Sequence, residues 1–170
     1  HYTTIKLILN QASVMSTVEQ NYQRVRERIS AACKNASRQP DSVRLLAVSK
    51  TKPASMVRAC YEQGQRAFGE NYLQDGLDKI DALAELTDIE WHFIGPLQSN
   101  KTRPVAEHFQ WLETLDREKI ARRLNEQRPD NLPPLNVLIQ VNISDEDQKS
   151  GIATESVTSF AQTLLSLPRL

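Results

Sequence analysis

The sequence lacks the residues that mark several classes of protein. It has two cysteines, Cys33 and Cys60, which lie in separate predicted helices and outside any C-x-x-C pair. This argues against a disulfide framework or a structural zinc site and favours reduced structural thiols. Five glycines and eight prolines are too few for a collagen-like or low-complexity chain. No stretch approaches the ~18 consecutive apolar residues of a membrane-spanning helix, so we expect no membrane partner.

An excess of charge of either sign is also missing. The 21 basic and 21 acidic residues give a formal net charge of zero, whereas a general nucleic-acid binder carries a basic excess. We therefore expect no nucleic-acid partner. Apolar residues make up 39% of the chain, which is enough to bury a core, and the length of 170 residues favours a single domain.

The first 15 residues carry no pattern that assigns them to this domain. The chain begins at His1, its first methionine is Met15, and the segment between them has only a very short apolar patch. It does not resemble a secretory signal, so we predict a disordered leader or extension over residues 1–15. Ser16 and Glu19 form a capping box that predicts the start of the first helix. We assign residues 16–170 to the domain.

Five short apolar runs alternate with helical patterns after the first helix. The runs lie at 43–48, 67–69, 91–94, 111–115 and 135–143. Strict alternation of strand and helix predicts an α/β fold with a parallel sheet covered by helices. Strand starts recur about every 23 residues, so a doubly wound sheet of five strands fits the length, whereas a (β/α)8 TIM-type barrel needs about 228 residues. If the fold is a barrel, this chain carries only its first five βα units.

Polar side chains at the predicted strand ends are the candidates for chemistry, because parallel α/β folds place ligand sites at the carboxyl ends of their strands. Lys50 ends the first strand and could be partly desolvated there. A neutral amine in such a place can form a Schiff base with an aldehyde cofactor. The simpler interpretation is a lysine that reaches into water, and position alone does not choose between Lys50 and Lys52.

Two further strands and two loops add candidates. Asn71 follows the second strand, and His92 lies within the third, where a histidine is most simply a hydrogen-bonded core residue. The segments 95–101 and 145–151 are most simply polar loops. The first lacks a glycine-rich phosphate pattern, and the second lacks the spacing of an EF-hand. The sequence therefore predicts no metal site.

Four ordered segments resemble one known family. They are LLAVSKTKP at 45–53, FGENY at 68–72, WHFIGPLQSNK at 91–101 and VNISDEDQKSG at 141–151. Together they are similar to the pyridoxal phosphate homeostasis protein family. The similarity extends over essentially the whole chain after the leader.

The resemblance implies an alanine-racemase-like (fold-type III) TIM barrel that binds pyridoxal 5′-phosphate (PLP), here truncated after about five βα units. Lys50 would hold PLP as a Schiff base, Asn71 and His92 would lie near the cofactor, and Lys149 would lie near the mouth. The resemblance also implies a cytoplasmic, monomeric carrier without catalytic turnover. PLP-dependent apoenzymes are its candidate partners.

Two other functions stay open. A racemase-like PLP enzyme would need an acid–base pair beside the cofactor; racemases of this fold take a tyrosine from a second, all-β domain, which these residues do not include. An inactive truncated paralogue would form no Schiff base at any lysine. The family continues through three more strands whose loops hold the phosphate. We therefore expect weak PLP affinity and low stability for these 170 residues.

Overall fold

The structure is a computed structural model that describes the backbone of residues 2–170 and the side chains of residues 17–170. Its α-helices are α1 Tyr2–Asn35, α2 Ala54–Glu62, α3 Leu73–Ala82, α4 Thr102–His108, α5 Glu118–Gln127 and α6 Val157–Leu165. Its β-strands are β1 Ala47–Val48, β2 Ala67–Glu70, β3 Glu90–Phe93, β4 Trp111–Leu115 and β5 Asn136–Ile139. Strands and helices alternate from β1 onward, as the sequence predicts.

The strands of the described chain form one five-stranded sheet in chain order, from β1 to β5. Each strand is parallel to its neighbours. Consecutive βα units follow this order around a (β/α)8 barrel, whereas a doubly wound sheet changes direction partway along its order. The structure therefore confirms the barrel-type prediction for five βα units and excludes the doubly wound alternative.

One face of the sheet, here called the helix face, packs against the helices. The register aligns Glu70, Phe93, Leu112 and Val137 across β2 to β5 on this face. Phe93 also meets Phe109 edge to face, with ring centroids 5.5 Å apart. Phe93 and Leu112 are almost completely buried. Removing such large apolar side chains from water is the main source of stability in this layer.

The opposite face of the sheet is here called the open face. One register row crosses it with a residue from each strand: Val48, Gly69, His92, Trp111 and Asn136. Val48 is 50% exposed, so this face meets solvent at β1. In a barrel, the face opposite the helices is the one that points to the interior. The open face is therefore the interior side of the barrel arc.

The first helix extends further than predicted. The capping box predicted a start at Ser16, but α1 is continuous from Tyr2 to Asn35. His1 and the side chains of residues 2–16 lie outside the described part of the chain, so the predicted leader over 1–15 stays a prediction. Among the residues that the structure describes, no helix is long and apolar enough to cross a membrane.

The first and last strands are shorter than their apolar runs. β1 comprises only Ala47–Val48 and is hydrogen-bonded to β2 alone. β5 ends at Ile139, and beyond it the Gln140 amide donates to the Leu115 carbonyl oxygen and an isolated bridge joins Val141 to Ile152. Apolar residues thus continue past the hydrogen-bonded ladder at both edges of the sheet. The pattern of apolar residues indicates which positions are buried, but it does not indicate where the hydrogen bonds between strands end.

Candidate functional site

The turn that follows β1 carries Lys50. Residues 49–52 form a tight turn in which the Lys52 amide donates to the Ser49 carbonyl oxygen at 3.1 Å. Thr51 has a φ of +63°, in the left-handed region that costs a non-glycine residue about 1–2 kcal/mol. Such a conformation persists only where surrounding contacts fix the backbone. The neighbours of this turn must therefore hold it.

Lys50 itself is exposed. It makes no hydrogen bond or ion pair with any residue that the structure describes. The structure thus agrees with the simpler interpretation of a lysine that reaches into water, and Val48, two residues earlier, is likewise 50% exposed. The side chain of Ser49 points to the helix face, where its Oγ donates to Glu70 Oε1 at 2.7 Å. The two neighbours therefore differ, because Ser49 is tied to the helix face and Lys50 is exposed just after the carboxyl end of β1.

Lys52 lies in different surroundings. It lines a small cavity of about 140 Å³ together with Val18 of α1 and with Met56 and Cys60 of α2. Burial raises the pKa of the Cys60 thiol, and both cysteines are free, in agreement with the predicted structural thiols. Both lysines that position alone left open are exposed, and they differ in their surroundings. Lys52 lies beside the helices, and Lys50 lies at the end of the sheet.

A buried ion pair lies beneath the turn, on the helix face. The side chain of Lys79 in α3 is 5% exposed, and that of Glu70 in β2 is 0% exposed. Lys79 Nζ donates to Glu70 Oε1 at 2.7 Å, to the Ser49 carbonyl oxygen at 2.7 Å and to Asp75 Oδ2 at 3.0 Å. All three hydrogens of the ammonium group therefore have acceptors. Sequence reasoning did not identify this pair.

Asn71 lies where the ends of β2 and β3 approach each other. A Cβ atom on Gly95, which follows β3, would lie 2.3 Å from the Asn71 carbonyl oxygen, so this contact requires glycine. Asn71 Oδ1 is buried without a hydrogen-bond partner among the described residues. Buried amide oxygens are rarely left in that state. Asn71 also lines a groove of about 600 Å³ with Tyr72 and Leu97.

His92 lies on the open face between two carboxylates. Its Nδ1 is 2.6 Å from Glu113 Oε1, and its Nε2 is 2.7 Å from Glu90 Oε1. The ring stacks on Trp111 with centroids 5.2 Å apart. Burial acts to raise the pKa of Glu90, but hydrogen bonds from Arg44 and His92 outweigh it and hold that pKa below its usual value. His92 is thus the hydrogen-bonded residue of the simpler interpretation.

Lys149 lies in the loop after β5. It is exposed, and its Nζ pairs with Glu146 Oε1 at 2.9 Å. The same loop is tied to the end of β4 because the Gly151 amide donates to Asp116 Oδ2 at 3.0 Å. Asp116 precedes α5 but does not cap it, because Arg117 holds the capping position. The carboxylate instead fixes the loop that carries Lys149.

The four candidate residues lie at or near the carboxyl ends of the strands, but they are distributed over separate grooves. Lys50, Asn71 and Lys149 follow β1, β2 and β5, and His92 lies in β3. Asn71 and Lys149 line separate grooves. Within residues 17–170, no group of three or more His, Cys, Asp or Glu side chains is arranged to hold a metal ion. The arrangement offers an exposed amine, an unpaired amide oxygen and a fixed polar face.

Comparison with known proteins defines the class. The family model described as "Alanine racemase, N-terminal domain" matches residues 16–170. The structure of alanine racemase from Corynebacterium glutamicum aligns with a TM-score of 0.64 over 91% of this chain and 41% of that chain, at 15% identity. This alignment shows the fold. Together the two findings define a barrel domain of the alanine-racemase type.

Relatives of higher sequence identity show to which family of this class the chain belongs. The pyridoxal phosphate homeostasis protein of Escherichia coli (strain K12) is 57% identical over 158 residues, which cover 92% of this chain and 68% of that protein. The structure of PipY from Synechococcus elongatus PCC7942 with PLP bound is 34% identical, with a TM-score of 0.69 over 83% of this chain and 66% of that chain. This chain belongs to the pyridoxal phosphate homeostasis protein family, as its motifs predicted, and spans about two thirds of the length of these relatives.

Proposed function

We propose that this chain binds PLP covalently and reversibly, with Lys50 as the attachment point. The observation that carries the proposal is the amine of Lys50, which is exposed at the carboxyl end of β1 and unpaired within the described residues. Buried Lys79 differs, because its ammonium hydrogens all have acceptors. Membership of the family and the PLP bound to PipY identify the ligand.

The attachment requires only an amine and an aldehyde. Lys50 would hold PLP through a C=N bond between its Nζ and the aldehyde carbon, and the aldehyde oxygen would leave as water with the two amine hydrogens. When bound, PLP supplies an electron sink. Another amine can displace Lys50 by the same steps. This reversibility suits a protein that holds the cofactor and passes it on.

The other candidates fit supporting roles around Lys50. Asn71 offers a buried, unpaired Oδ1 that can accept a hydrogen bond from a ligand. His92 keeps both ring nitrogens on carboxylates and so forms a fixed part of the open face. Lys149 offers an exposed ammonium group at the same edge, which can attract a phosphate. These residue types suit an aldehyde cofactor that carries a phosphate.

We propose a carrier rather than an enzyme. Racemisation needs acid and base groups that are free to exchange protons with the substrate, and the strand histidine His92 is paired on both sides. The relative in Escherichia coli is named as a homeostasis protein. We further propose that the protein is a cytoplasmic monomer and that PLP-dependent apoenzymes receive PLP from it. This part of the proposal rests on the family resemblance and on the free thiols.

Absorbance spectroscopy tests this function with matched lysine variants. Saturating PLP is added to the wild-type chain, to Lys50→Arg and to Lys52→Arg, and the visible band of the protonated Schiff base is recorded. We expect the band in the wild type and in Lys52→Arg, and its loss in Lys50→Arg. An equal band in Lys50→Arg would refute the assigned site. Amino-acid racemisation by the wild type, abolished in Lys50→Arg, would favour an enzyme instead.

A further inference from the structure

The buried pair of Glu70 and Lys79 contacts the turn that carries Lys50. Lys79 Nζ donates to the Ser49 carbonyl oxygen at 2.7 Å, and Ser49 Oγ donates to Glu70 Oε1 at 2.7 Å. The same carbonyl oxygen closes the turn by accepting from the Lys52 amide. Buried groups thus hold both the backbone and the side chain of the residue that directly precedes Lys50.

The composition of this pair points to a role other than stability. Burying a carboxylate and an ammonium group costs hydration free energy, and their mutual attraction offsets this cost only when the geometry is excellent. Well-packed apolar residues can therefore often replace such a pair without loss of stability. Glu70 Oε2 is buried without a partner among the described residues, so this carboxylate is incompletely satisfied. Its other oxygen is the one that binds Ser49 and Lys79.

The turn at residues 49–52 depends on contacts from outside it. Thr51 adopts a φ of +63°, and a β-branched residue leaves that region when its surroundings loosen. Relaxation at Thr51 would rotate the peptide that follows Lys50 and would change the direction of the Lys50 side chain. The ties to Ser49 oppose this relaxation from the side of the helix face.

We propose that Glu70 and Lys79 are positioning residues, which fix the turn after β1 and thereby set the direction and reactivity of the Lys50 amine. The inference rests on the proposed function, because it assigns the pair a role in the capture of PLP. Without the pair, Lys50 becomes an ordinary surface lysine.

The test replaces both charges together, so that neither is left buried and unpaired. The variant is Glu70→Leu with Lys79→Met. The matched control, Arg58→Met with Glu85→Gln, removes an ion pair of the same sign pattern between exposed side chains. Circular dichroism establishes that both variants are folded. Each chain is mixed with subsaturating PLP and treated with borohydride, which adds hydride to the C=N carbon while water protonates the nitrogen.

Peptide mass mapping then gives the ratio of the label on Lys50 to the label on Lys119, an exposed lysine of α5. We expect this ratio to fall about tenfold in the pair variant, because a small misdirection of a reacting group is costly, and to stay unchanged in the control. Hydrogen exchange at the amides of residues 50–52, measured without PLP, should accelerate in the pair variant only. General destabilisation would lower protection throughout the chain.

The outcomes separate the inference from the function on which it rests. An unchanged ratio in the folded pair variant overturns the inference, while preferential Lys50 labelling in the wild type preserves the proposed function. If the wild type labels Lys50 no more than Lys119, both fail. If the pair variant does not fold, Ser49→Ala removes the hydroxyl tie alone. A fall of roughly threefold there supports the inference, and an unchanged ratio overturns it.

Discussion

The two faces of the sheet differ in what covers them and in how they hold polar groups. On the helix face, Leu112 is 0% exposed, whereas on the open face Val48 and Leu138 are 50% and 45% exposed. The helix face encloses an ion pair beneath the end of β1. On the open face, the side chains around His92 are hydrogen-bonded in a partly exposed layer.

This difference shows how one sheet can separate stability from binding. The helix face carries the apolar burial on which the fold depends. The open face is held by hydrogen bonds and an aromatic stack, and it remains accessible beside Lys50. Changes on the helix face should therefore alter the free energy of unfolding. Changes on the open face and at its edge should alter binding more than folding.

The largest effect is expected from a matched pair of leucines. Leu112→Ala removes a buried side chain from the helix face and should lower the free energy of unfolding by about 2–5 kcal/mol. Leu138→Ala, on the adjacent strand but half-exposed on the open face, should cost less than about 1 kcal/mol. Urea denaturation of both variants measures the difference. Equal losses would mean that the open face is covered in solution, and the contrast between the faces would fail.

A smaller effect is expected from Glu90, whose carboxylate pairs with His92 on the open face. The pKa of Glu90 is lower in the folded chain than its usual value of 4.5, so the folded state favours the ionised form. Its stabilisation is present above the usual pKa and is lost as pH falls through the folded pKa. Glu90→Gln should therefore cost about 1 kcal/mol near pH 7 and progressively less as the pH falls below 4.5.

Urea midpoints of the wild type and of Glu90→Gln, recorded across this pH range, measure the dependence on Glu90. Glu85→Gln is a useful control, because its carboxylate has a lowered pKa but lies on the exposed surface. It should change stability less at every pH. A constant difference between the wild type and Glu90→Gln at all pH values would contradict the predicted role of ionisation.

The smallest effect on folding is expected at the loop after β5. The pair of Lys149 and Glu146 is more than 40% exposed at both partners, so Lys149→Ala should change the free energy of unfolding by less than about 0.5 kcal/mol. If Lys149 attracts the phosphate, the same change should lower the PLP label on Lys50 roughly threefold at low ionic strength. Lys119→Ala on α5 is the control. Equal effects of the two variants would remove Lys149 from the site.

Much of the helix face could be predicted from sequence, because burial leaves a periodic signal. The run at 111–115 matches β4 residue for residue. The buried ion pair could not be predicted in this way, since lysine and glutamate normally lie at the surface. A signal was present nonetheless: Lys79 lies on the stripe of α3 that includes buried Gly76, and buried Leu83 follows one turn later.

The sequence could predict which strand ends carry the candidate residues, but it could not predict the geometry around them. Parallel strands bring Lys50 and Asn71 to one edge of the sheet, and the sequence suffices to say so. The left-handed Thr51 and the unpaired Asn71 Oδ1 depend on backbone geometry that leaves no pattern in the sequence. The exposure of Lys50 depends on what covers the open face, which is a matter of the whole fold.

Borohydride trapping with quantitative peptide mapping tests the central claim most directly. The chain has eight lysines, and the exposed ones compete for PLP in the same tube. We predict that at substoichiometric PLP most of the label lies on Lys50, and that Lys50→Arg leaves only weak, scattered labelling of exposed lysines. Labelling spread evenly over the exposed lysines of the wild type, Lys52 and Lys119 included, would contradict it.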